Sequence, residues 1–114
     1  MQAAKSLRVL ALVAASAVAS AQEVGDVRQG LRFAEKVCAE CHAILKRQAL
    51  SPMPGAPPFG AIANTPGMTA MALTVWFRSS HPNIPKRMPN LIIEDEDMDN
   101  VIAYILSLRD RRVQ

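Results

Sequence analysis

Cys38-Ala39-Glu40-Cys41-His42 is the stretch from which the rest of this chain can be read. Two cysteines two residues apart, followed at once by a histidine, are what covalent haem attachment requires: each thiol adds to one vinyl group, and the adjacent imidazole reaches the iron. Two blander readings compete. In an oxidising compartment paired thiols commonly form a disulfide, but a bridge closing so short a loop restrains little of the unfolded chain. A redox-active dithiol expects a βαβ pattern around it, and strand signals are nearly absent here. Neither accounts for His42. The expected cofactor is one haem c, bound through Cys38 and Cys41.

Just upstream, Asp26 and Gln29 form a capping-box pattern that predicts a helix from about Val27. Its apolar stripe runs Val27, Leu31, Ala34, Cys38, flanked by Gly30 and Val37. Arg28, Arg32, Glu35 and Lys36 fall on the other side. This helix carries the two cysteines toward the core, and the turn after it presents His42.

The N-terminal stretch reads as a targeting segment. Lys5 and Arg8 precede a short apolar run from Leu7 to Val18, and Ala19-Ser20-Ala21 offers small residues for cleavage. A signal peptide over 1–21 is expected, leaving a domain over 22–114 in the periplasm. The run is shorter than the roughly 20 residues of a spanning helix, which weighs against retention as an anchor. Loss of Lys5 and Arg8 takes 13 basic residues against 10 acidic down to near balance. Nothing in that charge, and no aromatic-studded basic patch, points to a nucleic-acid partner.

Downstream of the motif, residues 50–67 are punctuated by Pro52, Pro54, Gly55, Pro57, Pro58, Gly60, Pro66 and Gly67. No long regular element fits there, and a loop of this length needs a functional reason. A loop laid over one edge of a haem supplies it, with Phe59 and Ile62 as apolar contacts on a short helical turn ending near Asn64. Thr69 caps a second helix running to about Ser80, with Met68, Ala72, Val75 and Trp76 on one face and Leu73 and Phe77 beside them. Pro82 ends it. The last helix has Glu94, Asp95, Glu96, Asp97 and Asp99 at its start and Arg109, Arg111 and Arg112 at its end, both complementing the macrodipole. Met98, Val101, Ile102, Ile105 and Leu108 form its buried stripe, widened by Tyr104 and Leu106.

One Trp, one Tyr and three Phe make a thin core for so small a domain. A buried haem would supply the missing apolar surface, so folding is expected to depend on it.

With His42 on one side of the iron, the other ligand decides the chemistry: methionine gives an electron-transfer haem, a second histidine a lower potential, and an empty position allows gas binding or peroxide chemistry. The candidates are Met53, Met68, Met71, Met88, Met98 and His81. Met68, Met71 and Met98 lie in or beside helical stripes, where methionine is ordinary core filling. Met53 falls in the loop on the histidine side. His81, before Pro82, reads as a helix-terminus histidine. Met88, between Arg87 and Pro89 in a proline-stiffened loop, is the expected ligand. The second ring nitrogen of His42 needs an acceptor, and the carbonyl of Pro57 or Pro58 is the candidate.

With Met88-Pro89-Asn90 added to the motif, the chain resembles the class I c-type cytochromes over essentially its whole mature length. The resemblance implies an all-α fold of three main helices and loops wrapped around one covalent haem. It also implies His42 and Met88 as axial ligands, and the carbonyl of Pro57 or Pro58 as the histidine's partner. Gly30 and Tyr104 would mark a close crossing of the first and last helices. Function follows as one-electron transfer between larger periplasmic or membrane-bound redox proteins by a monomeric carrier that is not an enzyme. The alternative is a haem c enzyme or gas sensor with an open sixth position. Three features depart from the family pattern: Ala34 stands where a bulkier aromatic is frequent, Glu94 caps the last helix, and Ile84 to Arg87 lengthens the approach to Met88. Lys46, Arg47, Lys86 and Arg87 are candidates for a basic docking ring.

Overall fold

A computed structural model describes residues 24–79 and 93–111 of the 114-residue chain. Four helices are found among them: α1 (Val27–Val37), α2 (Phe59–Ala63), α3 (Ala70–Arg78) and α4 (Asp95–Ser107). There is no strand among the described residues. The expectation of three main helices is corrected by α2, a five-residue helix set into the proline-rich loop at the turn anticipated around Phe59 and Ile62.

Asp26 caps α1 as its sequence predicts, its side chain accepting from the Gln29 backbone N–H at 2.9 Å. The returning half of the capping box is supplied from elsewhere. The Asp26 N–H donates to Asn100 Oδ1 of α4 at 2.8 Å, so the first helix is capped partly by the last. Gly30 and Ala34 are the buried residues of α1, while Val27 and Val37 are about 40% exposed (43% and 39%). Ala34 of the expected stripe is buried and Leu31 and Cys38 pack partly against the core, but Val27 is exposed and the flanking Gly30 is buried, so the stripe is rotated toward the two smallest residues. Gly30 sits where no side chain fits against the α4 backbone, and two helices can approach that closely only through such a position.

In α3, Thr69 caps by accepting from the Ala72 N–H at 3.1 Å. The helix ends at Arg78 rather than Ser80, with Ser79 as its C-cap. Leu73 is its buried residue and Phe77 packs partly against the core, whereas Val75 and Met71 are exposed. The face centred on Val75 is therefore corrected to one centred on Leu73 and Phe77. Pro82, with the stretch that follows it, lies outside the described residues.

Helix α4 is the spine of the core. Met98 and residues 100–106 are all buried, which extends the expected stripe to Asn100 and Ala103. A helix apolar on nearly every side belongs at the centre of its fold, and α1, α2 and α3 all pack on it. Its N-cap, Glu94, makes no side-chain capping bond. At the other end the expected macrodipole role of Arg109 is replaced by tighter contacts: Nε donates to the Ala63 carbonyl at 3.1 Å and a terminal nitrogen to the Met68 carbonyl at 2.5 Å. The Asp110 N–H donates to Asn64 Oδ1 at 2.9 Å, completing a seam between the end of α4 and the segment joining α2 to α3.

Candidate functional site

Cys38 is the C-cap of α1, and its N–H donates to the Ala34 carbonyl at 2.9 Å. The chain then turns tightly, with the N–H groups of Cys41 and His42 both donating to the Cys38 carbonyl, at 3.1 and 2.9 Å. One turn after the helix thus gathers the two sulfurs and the imidazole. The sulfurs are unbridged, and both are half-buried. Burial, and then the Cys41 charge, push the Cys38 thiol up to about 11. A dithiol redox centre works through a thiol lowered toward neutrality, so this environment opposes that reading.

His42 Nδ1 lies 2.7 Å from the Pro57 carbonyl oxygen. With Nδ1 donating there, Nε2 is the nitrogen available to ligate a metal. Pro58, the other carbonyl considered, occupies the N-cap position of α2. The imidazole also stands 5.4 Å from the Phe59 ring, tilted by 48°, and Phe59 lies 6.5 Å from Tyr104. Tyr104 closes the series by donating its hydroxyl to the Ile44 carbonyl at 2.6 Å. Burial, with the Glu35 carboxylate second, raises the Tyr104 phenol above its ordinary value.

Cys38, Cys41, His42, Pro57 and Phe59 line a cavity of about 370 Å³ that also takes in Ile62, Met68, Leu73, Trp76, Phe77 and Ile105. A cavity of this size, mostly apolar with a few placed polar groups, is the form a cofactor site takes. Two thiols and one imidazole held at its wall by a rigid carbonyl suit a haem joined by thioether bonds, so the residues present fit that group. Among the described residues no cluster of three or more His, Cys, Asp or Glu could hold a separate metal ion.

Residues 27–109 match the family model described as cytochrome c. The chain belongs to the cytochrome c family. Over 104 residues it is 30% identical to cytochrome c-552 of Bradyrhizobium diazoefficiens, a match covering 90% of this chain and 95% of that protein. No solved structure gives a significant match. As a member of this family, this small all-α cytochrome is a one-electron carrier rather than a catalyst.

The structure brings Cys38, Cys41, His42 and Pro57 of this cytochrome together. Met88 and His81 lie outside the described residues, as do Lys86 and Arg87 of the docking ring. Lys46 and Arg47 are exposed, and Lys46 is 3.9 Å from Asp110. The other methionines divide. Met98 is buried in the core, Met71 is 78% exposed rather than core filling, and Met68 lines the cavity. Met53 donates its N–H to the Cys41 carbonyl at 3.1 Å, which keeps its loop on the histidine side. Sequence reasoning missed Ser51, Gln48, Asn64, Asn100 and Arg109 as structural partners. Asn100 alone carried a signal, as an amide inside an otherwise apolar helical run.

Proposed function

We propose that this cytochrome carries its electron on a single haem c bonded to Cys38 and Cys41, with His42 and Met88 as the axial ligands. The observation that carries the reading is the His42–Pro57 pair at 2.7 Å beside both thiols, at the wall of an apolar cavity. When bound, the haem supplies the ferric–ferrous couple. The chain's own residues do the rest. Cys38 and Cys41 tether the group, the Pro57 carbonyl fixes the tautomer and orientation of His42, and Ile62, Leu73, Phe77 and Ile105 keep water from its surroundings. A thioether from Met88 favours the ferrous state and so raises the potential.

The chain is read as exported, with residues 1–21 removed and the domain over 22–114 working as a periplasmic monomer. No helix among the described residues is long and apolar enough to cross a membrane. Its partners are larger redox proteins that donate or accept one electron, approached in part through the exposed Lys46 and Arg47.

Absorption spectra of the purified protein, oxidised and reduced, together with its mass, test this reading. A red protein heavier than the 22–114 polypeptide by one haem is expected. A colourless protein with the mass of the bare chain overturns it. The Met88 assignment is tested by the long-wavelength sulfur-to-iron charge-transfer band, which should vanish in Met88→Ala. Its persistence there removes Met88.

A further inference from the structure

We infer that Ser51 and Gln48 are positioning residues for the His42 imidazole and thereby help set the reduction potential of the centre, an inference that rests on His42 being an iron ligand. The two residues that follow His42 are buried, Ala43 at 0% and Ile44 at 5% exposure, and all four of their backbone polar groups have partners. The Ala43 N–H donates to Ser51 Oγ at 2.9 Å, and the Ile44 N–H to Gln48 Oε1 at 3.2 Å. The Ala43 carbonyl accepts from the Phe59 N–H at 2.8 Å, and the Ile44 carbonyl from the Tyr104 hydroxyl at 2.6 Å.

The Ala43–Phe59 bond lies next to the His42–Pro57 bond along the chain, so 42 and 43 pair with 57 and 59 as two neighbouring rungs. One rung is a backbone bond; the other is the ligand's own. The separation of the imidazole from the Pro57 carbonyl is therefore governed by where the backbone of residues 43 and 44 sits. Ser51 and Gln48 hold that backbone by its N–H groups, which need an acceptor in a buried segment. Removing the Ser51 hydroxyl forces the segment to shift toward a new acceptor and loosens the rung beside it.

The consequence for the metal has a definite sign. A bond from Nδ1–H to a carbonyl makes an imidazole more basic and a stronger donor. A stronger donor favours ferric iron, so outer hydrogen bonding is a lever on the potential. Loosening the His42–Pro57 bond raises it.

The test uses the mature haem-bearing protein. In Ser51→Ala the midpoint potential should rise, and exchange of the His42 ring N–H, followed by NMR in the reduced state, should quicken by roughly tenfold, as for loss of one good hydrogen bond. Ser51→Thr keeps the hydroxyl and should restore both. Gln48→Met, which keeps the bulk and drops the acceptor, should move both in the same direction and replaces Ser51→Ala if that variant matures poorly. Unchanged potential and exchange in a haem-bearing Ser51→Ala or Gln48→Met overturns the inference, as does a Ser51→Thr shift equal to that of alanine. A wild-type protein without covalent haem, or one in which His42 does not bind iron, overturns instead the reading on which the inference stands.

Discussion

Gly30 faces Asn100 across the α1–α4 crossing so closely that a Cβ at Gly30 would stand 2.0 Å from the Asn100 carbonyl oxygen and 2.7 Å from the Tyr104 Cβ. The nearest atom is helix backbone, which has no rotamer by which to yield. Gly30→Ala must therefore push α1 off α4, the largest helix interface among the described residues. A loss of about 3 kcal/mol is expected in chemical denaturation of the haem-bearing protein. A loss under about 0.5 kcal/mol would mean the two helices separate at almost no cost.

Asn100 is the buried polar residue of α4, and its Oδ1 takes the Asp26 N–H. Asn100→Ala strands that donor and should cost about 1–3 kcal/mol. A loss under about 0.5 kcal/mol in Asn100→Ala would show that the Asp26 contact contributes nothing.

Tyr104→Phe keeps the ring against Phe59 and removes only the bond to the Ile44 carbonyl, at an expected cost of about 1–2 kcal/mol near neutral pH. The difference from wild type should depend on pH in one direction. Burial raises the folded-state phenol above its ordinary 10.0, so folding favours the protonated form. The stabilisation is complete below pH 10 and falls as pH rises through the folded value. Urea titrations of both proteins from neutral to strongly alkaline pH measure it, and a gap that widened above pH 10 would contradict the assignment.

Arg109 joins the end of α4 to the carbonyls of Ala63 and Met68. Arg109→Ala removes two charge-assisted bonds and should cost about 2–3 kcal/mol. Arg109→Lys cannot span both carbonyls with one fork and should recover less than half of that. Thermal unfolding of the three proteins decides it, with full recovery by lysine counting against the two-carbonyl role.

Haem removal is expected to unfold the domain. In the mature chain with Cys38→Ala and Cys41→Ala, the wall of an apolar cavity of about 370 Å³ has nothing to pack against but solvent. Far-ultraviolet circular dichroism should lose most of its helical signal. A near-native spectrum would show that α1 and α4 suffice to hold the fold.

Much of this was written locally in the sequence. Asp26 and Thr69 are caps that act within three residues, and both helices begin where those side chains predict. The attachment motif is likewise local, since one turn after α1 is enough to gather it. What the sequence could not supply were choices made by distant partners. Whether Pro57 or Pro58 meets His42 depends on where a separate segment lies, and only packing decides it. The face of α1 is set in the same way: Val27 looks like part of the apolar stripe, yet the helix turns Gly30 and Ala34 to α4 because closeness there outweighs side-chain area. Arg109 reads as a helix-end charge until the carbonyls it reaches are known. Met88 and the loop around it lie outside the described residues.

The bond between Asp26 and Asn100 joins residues 74 positions apart, the first helix to the last. Contacts of such long sequence separation form late, because most of the chain must be confined before they reward it. A chain that leaves the ribosome front end first therefore presents α1 with no mate until α4 has followed it.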